Sequence, residues 1–271
     1  MKQLHRYFLS KTVRRFVILL LTIGSAMQVQ SQISLTATSG TATGSYANLS
    51  AAFGAINGGT HSGAIVITIT SNTTEPFAMT ALTSTSFASL LIKPQGANIV
   101  VTGNNPTNRG VIELMNSKNV TIDGDDPAQS GDRNLTFAAS TSSVNGTSAI
   151  RIGSTSGAAA DNIAIRNCIL RGSKTNSTTT TANYGISISN ATTSISPANA
   201  AGVAANAIII ENNEIYRAQY GIFVFGGTAS GSSFKNITIK DNKIGSTTAA
   251  DVIGQAGITM IGSSDSSNRA Y

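Results

Sequence analysis

The segment DGDDPAQSGDR, residues 123–133, places Asp123, Asp125, Asp126 and Asp132 beside Arg133. These four carboxylates are a third of the chain's 12 acidic residues. Crowded on one turn, they suit two kinds of chemistry. Asp125, Asp126 and Asp132 supply hard oxygen ligands of the kind Ca²⁺ takes about six to eight at a time. Paired carboxylates also act as acid and base on a glycosidic bond. The spacing is not that of an EF-hand loop. A solvated Asp/Gly/Pro turn accounts for the same residues without either role.

A second group is aromatic. In IYRAQYGIFVF, residues 215–225, strand alternation directs Phe223 and Phe225 outward, with Tyr220 and Tyr216 nearby. Exposed rings of this kind stack on sugars through apolar contact and ring electrostatics. Phe223, Phe225 and Tyr220 are therefore the candidate glycan-binding residues. The alternative is that 226–235 folds over them, with Phe234 completing a satellite cluster.

Other chemistries lack their residues. His5 lies in the N-terminal basic segment, which leaves His61 alone, so no Ser/His/Asp set can form. Cys168 is the single cysteine, which excludes an intramolecular disulfide and a Cys/His zinc site. Its place in the repeat described below is that of a core residue, not a nucleophile. The glycine runs lack a Walker pattern. No catalytic residue is assigned, and no cofactor beyond the Ca²⁺ alternative.

The N-terminus bounds the compartment and the charge. Lys2, Arg6, Lys11, Arg14 and Arg15 precede the apolar run FVILLLTIG (16–24), which is short for a membrane span. Residues 1–31 thus have the form of an export signal, cut before Gln32 or after Ala26; a retained anchor is the alternative. Five of the 18 Lys+Arg lie in this segment, leaving 13 against 12 acids, a net charge of +1. That balance gives no nucleic-acid footprint. The expected location is secreted or cell-surface, without a stable membrane span after cleavage.

The elements that position these groups repeat. VIEL (111–114), AIRI (149–152), GISI (185–188), GIFV (221–224) and GITM (257–260) carry Ile112, Ile150, Ile186, Ile222 and Ile258, spaced by 38, 36, 36 and 36 residues. A period in this range marks a repeat array. Within each version apolar residues alternate, the mark of a strand with one buried face. A second strand follows, with Val120/Ile122, Ile163/Ile165, Ile208/Ile210 and Ile237/Ile239 inward. A third short element places Cys168/Leu170, Asn213/Ile215 and Asn242/Ile244. The fold class is therefore all-β, a parallel β-helical coil. KTNSTTTTAN (174–183) and ATTSISPANAAGVAAN (191–206) are loops projecting from it.

Outward residues support the same register. Asp123, Arg166, Glu211 and Lys240 form a column of alternating sign; Glu113 lies below Arg151, and Glu214 below Lys243. With rungs ~4.8 Å apart, opposite charges become neighbours. Each exposed pair contributes about 0.2–1 kcal/mol, so their role is register. Asn213 and Asn242 stack where buried amides satisfy turn backbone. Ahead of the repeats, Tyr46, Leu49, Phe53 and Ile56 follow helical spacing, with Ser45 as cap and Gly58 past the end. This helix and the strands in 64–70, 89–94 and 97–103 form a cap and first coil over 32–103, and 104–271 holds the repeats.

The segments LSAAFGAINGGTHSGAIVITITSNTTEPF (49–77), LLIKPQ (90–95) and GVIELMNSKNVTIDG (110–124) resemble the start of right-handed parallel β-helix proteins of the pectate-lyase-like superfamily. The closer resemblance is to large secreted β-helix proteins of Bacteroidota-type bacteria, often surface or adhesin-like and carrying a C-terminal sorting domain. It covers roughly residues 35–262. It implies a right-handed β-helix and a polysaccharide or surface-glycan partner. That fold hosts lyases, hydrolases, esterases and non-enzymatic adhesins, so it specifies no activity. The sequence stops at SSDSSNRAY (263–271) without a closing coil or sorting domain, and is expected to be the N-terminal portion of a longer protein.

Overall fold

The computed structural model describes residues 31–103, 109–139, 146–155, 158–173, 183–191, 201–227, 234–262 and 269–270. Most of the expected export signal over 1–31, and most of the segments 174–183 and 191–206 expected as loops, lie outside these residues.

The chain opens with β1 (Ile33–Gly40) and β2 (Thr43–Tyr46), an antiparallel pair, then α1 (Leu49–Asn57). Strands β3 (His61–Ile69), β4 (Thr73–Glu75), β5 (Phe87–Pro94) and β6 (Ile99–Gly103) follow. Next come β7 (Gly110–Met115), β8 (Lys118–Asp123), β9 (Leu135–Ala139), β10 (Ser148–Ser154), β11 (Ala160–Arg166) and β12 (Cys168–Arg171). The remainder are β13 (Tyr184–Asn190), β14 (Ala205–Glu211), β15 (Glu214–Tyr216), β16 (Ala218–Phe225), β17 (Phe234–Lys240), β18 (Lys243–Ile244), β19 (Ile253–Ile261) and β20 (Arg269–Ala270).

Among the described residues these strands form three sheets. The nine-stranded sheet has the order β2-β1-β3-β5-β8-β11-β14-β17-β20, the five-stranded sheet β19-β16-β13-β10-β7, and the six-stranded sheet β18-β15-β12-β9-β6-β4. From β3 onward every pairing between these strands is parallel. From β7 on the chain visits the five-, nine- and six-stranded sheets in turn, and returns to each one circuit later.

Apolar side chains stack in register down each sheet. Ile112, Ile150, Ile186, Ile222 and Ile258 are direct partners. So are Ile67, Ile92, Ile122, Ile165, Ile210 and Ile239, and Val101, Phe137, Leu170, Ile215 and Ile244. Apart from Ile258, these columns join one hydrophobic core. β-branched Ile suits this geometry, because its stiff side chain packs well on a pleated surface.

The cap differs from its expected form at one end. The N-cap is Asn48, whose Oδ1 accepts from Ala51 N at 2.9 Å. Ser45 and Tyr46 belong to β2 instead. Tyr46 OH meets His61 Nε2 at 2.5 Å, and His61 Nδ1 lies 2.6 Å from Thr41 O. Gly58 does end the helix, its N–H donating to Gly54 O. Leu49, Ala52, Phe53 and Ile56 face the core.

Candidate functional site

The acidic turn departs from the general corner. Later circuits pass from the nine- to the six-stranded sheet at Asn167, at Asn212–Asn213 and at Asp241–Asn242. The circuit between β8 and β9 instead takes 124–134 to do so. This excursion is pinched at its base, where Asn134 N donates to Gly124 O at 2.7 Å. A side chain at Gly124 would run into Asn167 O, which is why glycine stands there.

The carboxylates of the turn act on its own structure. Asp126 Oδ2 accepts from Gly96 N at 2.7 Å, and its Oδ1 from Ala128 N at 3.1 Å. Asp132 Oδ2 accepts from Asn212 Nδ2 at 2.6 Å, which holds its carboxyl below the usual range. Arg133 donates to Asn212 O and Oδ1. Asp123 accepts from Arg166 Nε and Asn167 Nδ2, and from Asp125 N. Among the described residues no three His, Cys, Asp or Glu gather as a metal ligand set. Asp126 ties the enlarged corner back to Gly96 of the preceding circuit, and Asp132 ties it to Asn212, two circuits on.

The corner itself is an amide stack. Asn213 is fully buried; its Oδ1 accepts from Cys168 N at 3.0 Å and its Nδ2 donates to Ile165 O at 2.9 Å. Asn242 Oδ1 in turn accepts from Asn213 N and Nδ2, both at 3.0 Å. Cys168 occupies the same column, buried, and burial pushes its thiol up. It is a core group with no reactive character.

The aromatic residues lie on the outer face of the five-stranded sheet, but they are not open platforms. Phe223 is 2% exposed and Tyr220 9%. Tyr184, which alternation alone did not single out, packs with them: ring centroids are 5.7 Å apart for Tyr184–Tyr220 and 5.1 Å for Tyr184–Phe223. Phe225 is half-buried against the cluster. Phe234, expected to complete this group, belongs to the interior core instead. The rings occupy one another's faces, so sugar stacking by Phe223 or Tyr220 has no free surface in this arrangement.

The same face carries groups that charge-column reasoning placed but did not bury. Glu113 and Arg151 are each 2% exposed, a correction to their expected surface position. Glu113 Oε1 accepts from Arg109 Nε at 2.8 Å, Gly110 N at 3.0 Å and Arg151 Nη1 at 3.4 Å. Oε2 lies 2.6 Å from Arg109 Nη2. Burial pulls the Arg151 guanidinium down, and Glu113 beside it opposes that. A carboxylate so fully engaged is neither a free base nor a nucleophile. Beside this pair, the hydroxyls of Ser148, Tyr184, Ser187 and Ser189 are buried without a hydrogen-bond partner. The signal for this was available in sequence. Around Glu113 and Arg151 the outward positions of this sheet hold Met115, Gly153, Ser187, Ser189, Phe223 and Phe225, with no other charge, where the nine-stranded sheet repeats Asp123, Arg166, Glu211 and Lys240.

Comparisons with protein-family models, with curated proteins and with solved structures return no match. Among the described residues no helix is long and apolar enough to cross a membrane.

Proposed function

We propose that this chain is a secreted or cell-surface scaffold, a right-handed parallel β-helix that binds glycans non-covalently through its outward face. One observation carries the reading. Outward ionic groups are matched from rung to rung, as in Arg166–Asp123 at 2.9 Å, Lys240–Glu211 at 2.9 Å and Lys243–Glu214 at 2.7 Å. Where charges neutralise one another in this way, amides and hydroxyls remain as the free chemistry of that surface. Such groups recognise hydroxylated polymers without transforming them. The resemblance to exported adhesin-like β-helix proteins supports the same reading.

A second reading, a polysaccharide lyase or hydrolase of the pectate-lyase-like class, is favoured by the unpartnered hydroxyls of Ser148, Tyr184, Ser187 and Ser189 gathered on one face. Incubation with a panel of neutral and acidic polysaccharides, with and without Ca²⁺, separates the two. Retention on glycan without reducing-end release supports the scaffold. Reducing-end release by the wild-type chain from any of these polysaccharides overturns it. Export is tested separately: protein recovered outside the producing cell should begin at Gln32.

A further inference from the structure

The outer face of the nine-stranded sheet carries a depression of about 420 Å³, lined by Ala88, Ser89, Leu91, Asn119, Thr121 and Arg166, with Asn162 at its rim. It lies over Leu91 and Thr121, direct neighbours on adjacent strands, with Asn162 and Arg166 contributed by the next strand. We infer that this groove is a binding site for a short neutral oligosaccharide, an inference that rests on the glycan-binding reading above.

Three features select the ligand. The floor is apolar at Leu91 and the Thr121 methyl, a surface for the C–H face of a sugar ring. Around it stand groups with unused hydrogen-bonding capacity. Asn162 Nδ2 donates to Asn119 Oδ1 at 2.9 Å. That leaves the Asn119 amide N–H groups and the Asn162 carbonyl free on adjacent rungs. The Ser89 and Thr121 hydroxyls add donors that also accept. Neighbouring hydroxyls on a sugar need this mixture.

Charge decides between neutral and acidic sugars. Arg166 is the cation of the groove, but its Nε is 2.9 Å from Asp123 and its Nη1 3.9 Å from Glu211. At the other end Lys118 is matched to Asp161 at 3.1 Å. A uronic acid carboxylate would meet Asp123 and Glu211 together with the cation, and gains little. The volume falls within the ~300–1,000 Å³ of small-ligand sites.

The test uses the whole chain, titrated with neutral gluco-, manno- and xylo-oligosaccharides and with uronic acid oligomers, followed by calorimetry. Thr121→Trp fills the groove from an outward position. Asn162→Gly removes the amide where the backbone has φ +52°, which glycine adopts freely. Lys243→Gln, on the six-stranded sheet, serves as the comparison. The expected result is binding of a neutral oligomer by the wild type and by Lys243→Gln, weakened at least tenfold in both groove variants with unchanged melting temperatures. Wild-type binding that both groove variants retain overturns the groove and leaves the glycan-binding surface standing. Preference for uronic acid oligomers overturns the charge argument and with it the neutral ligand. Absence of binding to every oligomer overturns the groove and the glycan reading together.

Discussion

A single buried amide shows what each circuit demands of its residues. Asn213 serves one backbone donor and one backbone acceptor on the circuit before it, and is fixed by the amide of Asn242 after it. Asn213→Ala leaves Cys168 N and Ile165 O without partners in a dry interior. Each buried orphan costs about 1–3 kcal/mol, so urea denaturation should show a loss on the order of 3 kcal/mol. Glu113→Ala should cost about 3–5 kcal/mol, because it strands a buried guanidinium. Lys243→Ala, at a mostly exposed pair, should cost less than about 1 kcal/mol. Equal effects for Glu113 and Lys243 in the same assay would show that burial does not separate them. Sequence reasoning aligned both pairs correctly, as Glu113 with Arg151 and Glu214 with Lys243. It missed their difference because alternation reports which side of a strand a residue takes. It does not report what lies over that side.

At the scale of elements, the cap is docked by one carboxylate. Glu75, on β4, accepts from Leu49 N at 2.9 Å and Ser50 N at 2.8 Å, taking two donors that the start of α1 leaves unpaired. Burial nevertheless pushes Glu75 up to about 6, against the pull of those two N–H groups. The folded state therefore holds this proton more tightly than the unfolded chain. The resulting stabilisation is complete below the ordinary carboxyl range near 4.5 and is lost as pH rises through 6. A shift of this size corresponds to about 2 kcal/mol. The difference in unfolding free energy between wild type and Glu75→Gln should thus change between pH 4.5 and 6.5 and be flat above. A difference that stays constant across that window would refute the assignment. The helix itself was legible from Leu49, Phe53 and Ile56, yet its start was placed too early because Tyr46 continues the spacing by accident from β2. The strands of the repeats were legible because Ile, with Val and Leu, recurs at most inward places. β1 and β2 lie outside the repeat and were missed: β1 alternates Ile33, Leu35 and Ala37 with Ser34, Thr36 and Thr38 but over too few large apolar residues to stand out, and β2 (TGSY) has little periodic signal. The acidic turn looked like a site because its carboxylates crowd in sequence; their partners Gly96 and Asn212 are remote, and nothing local announces them.

Across the whole molecule, burial is uneven in a way exchange can measure. β7 and β10 are buried along their whole length and β13 and β16 nearly so, whereas β19 is partly exposed throughout, Ile258 reaching 37%. Amide hydrogens of β10 and β13 should be the last to exchange and those of β19 among the first. Uniform protection across the five strands would contradict that order. The alternating column Asp123, Arg166, Glu211, Lys240 has a consequence for how such a chain changes length. Excising residues 187–222 would fuse Ile186 to Phe223 and leave every apolar column filled, with Ile163 over Ile237 and Leu170 over Ile244. It would also set Arg166 directly beside Lys240, at a cost of roughly 0.2–1 kcal/mol. Removing or copying two circuits together preserves the alternation. The hydrophobic stack is indifferent to the number of circuits, but the ionic column has parity, and gene duplication in this molecule meets least resistance when it counts by twos.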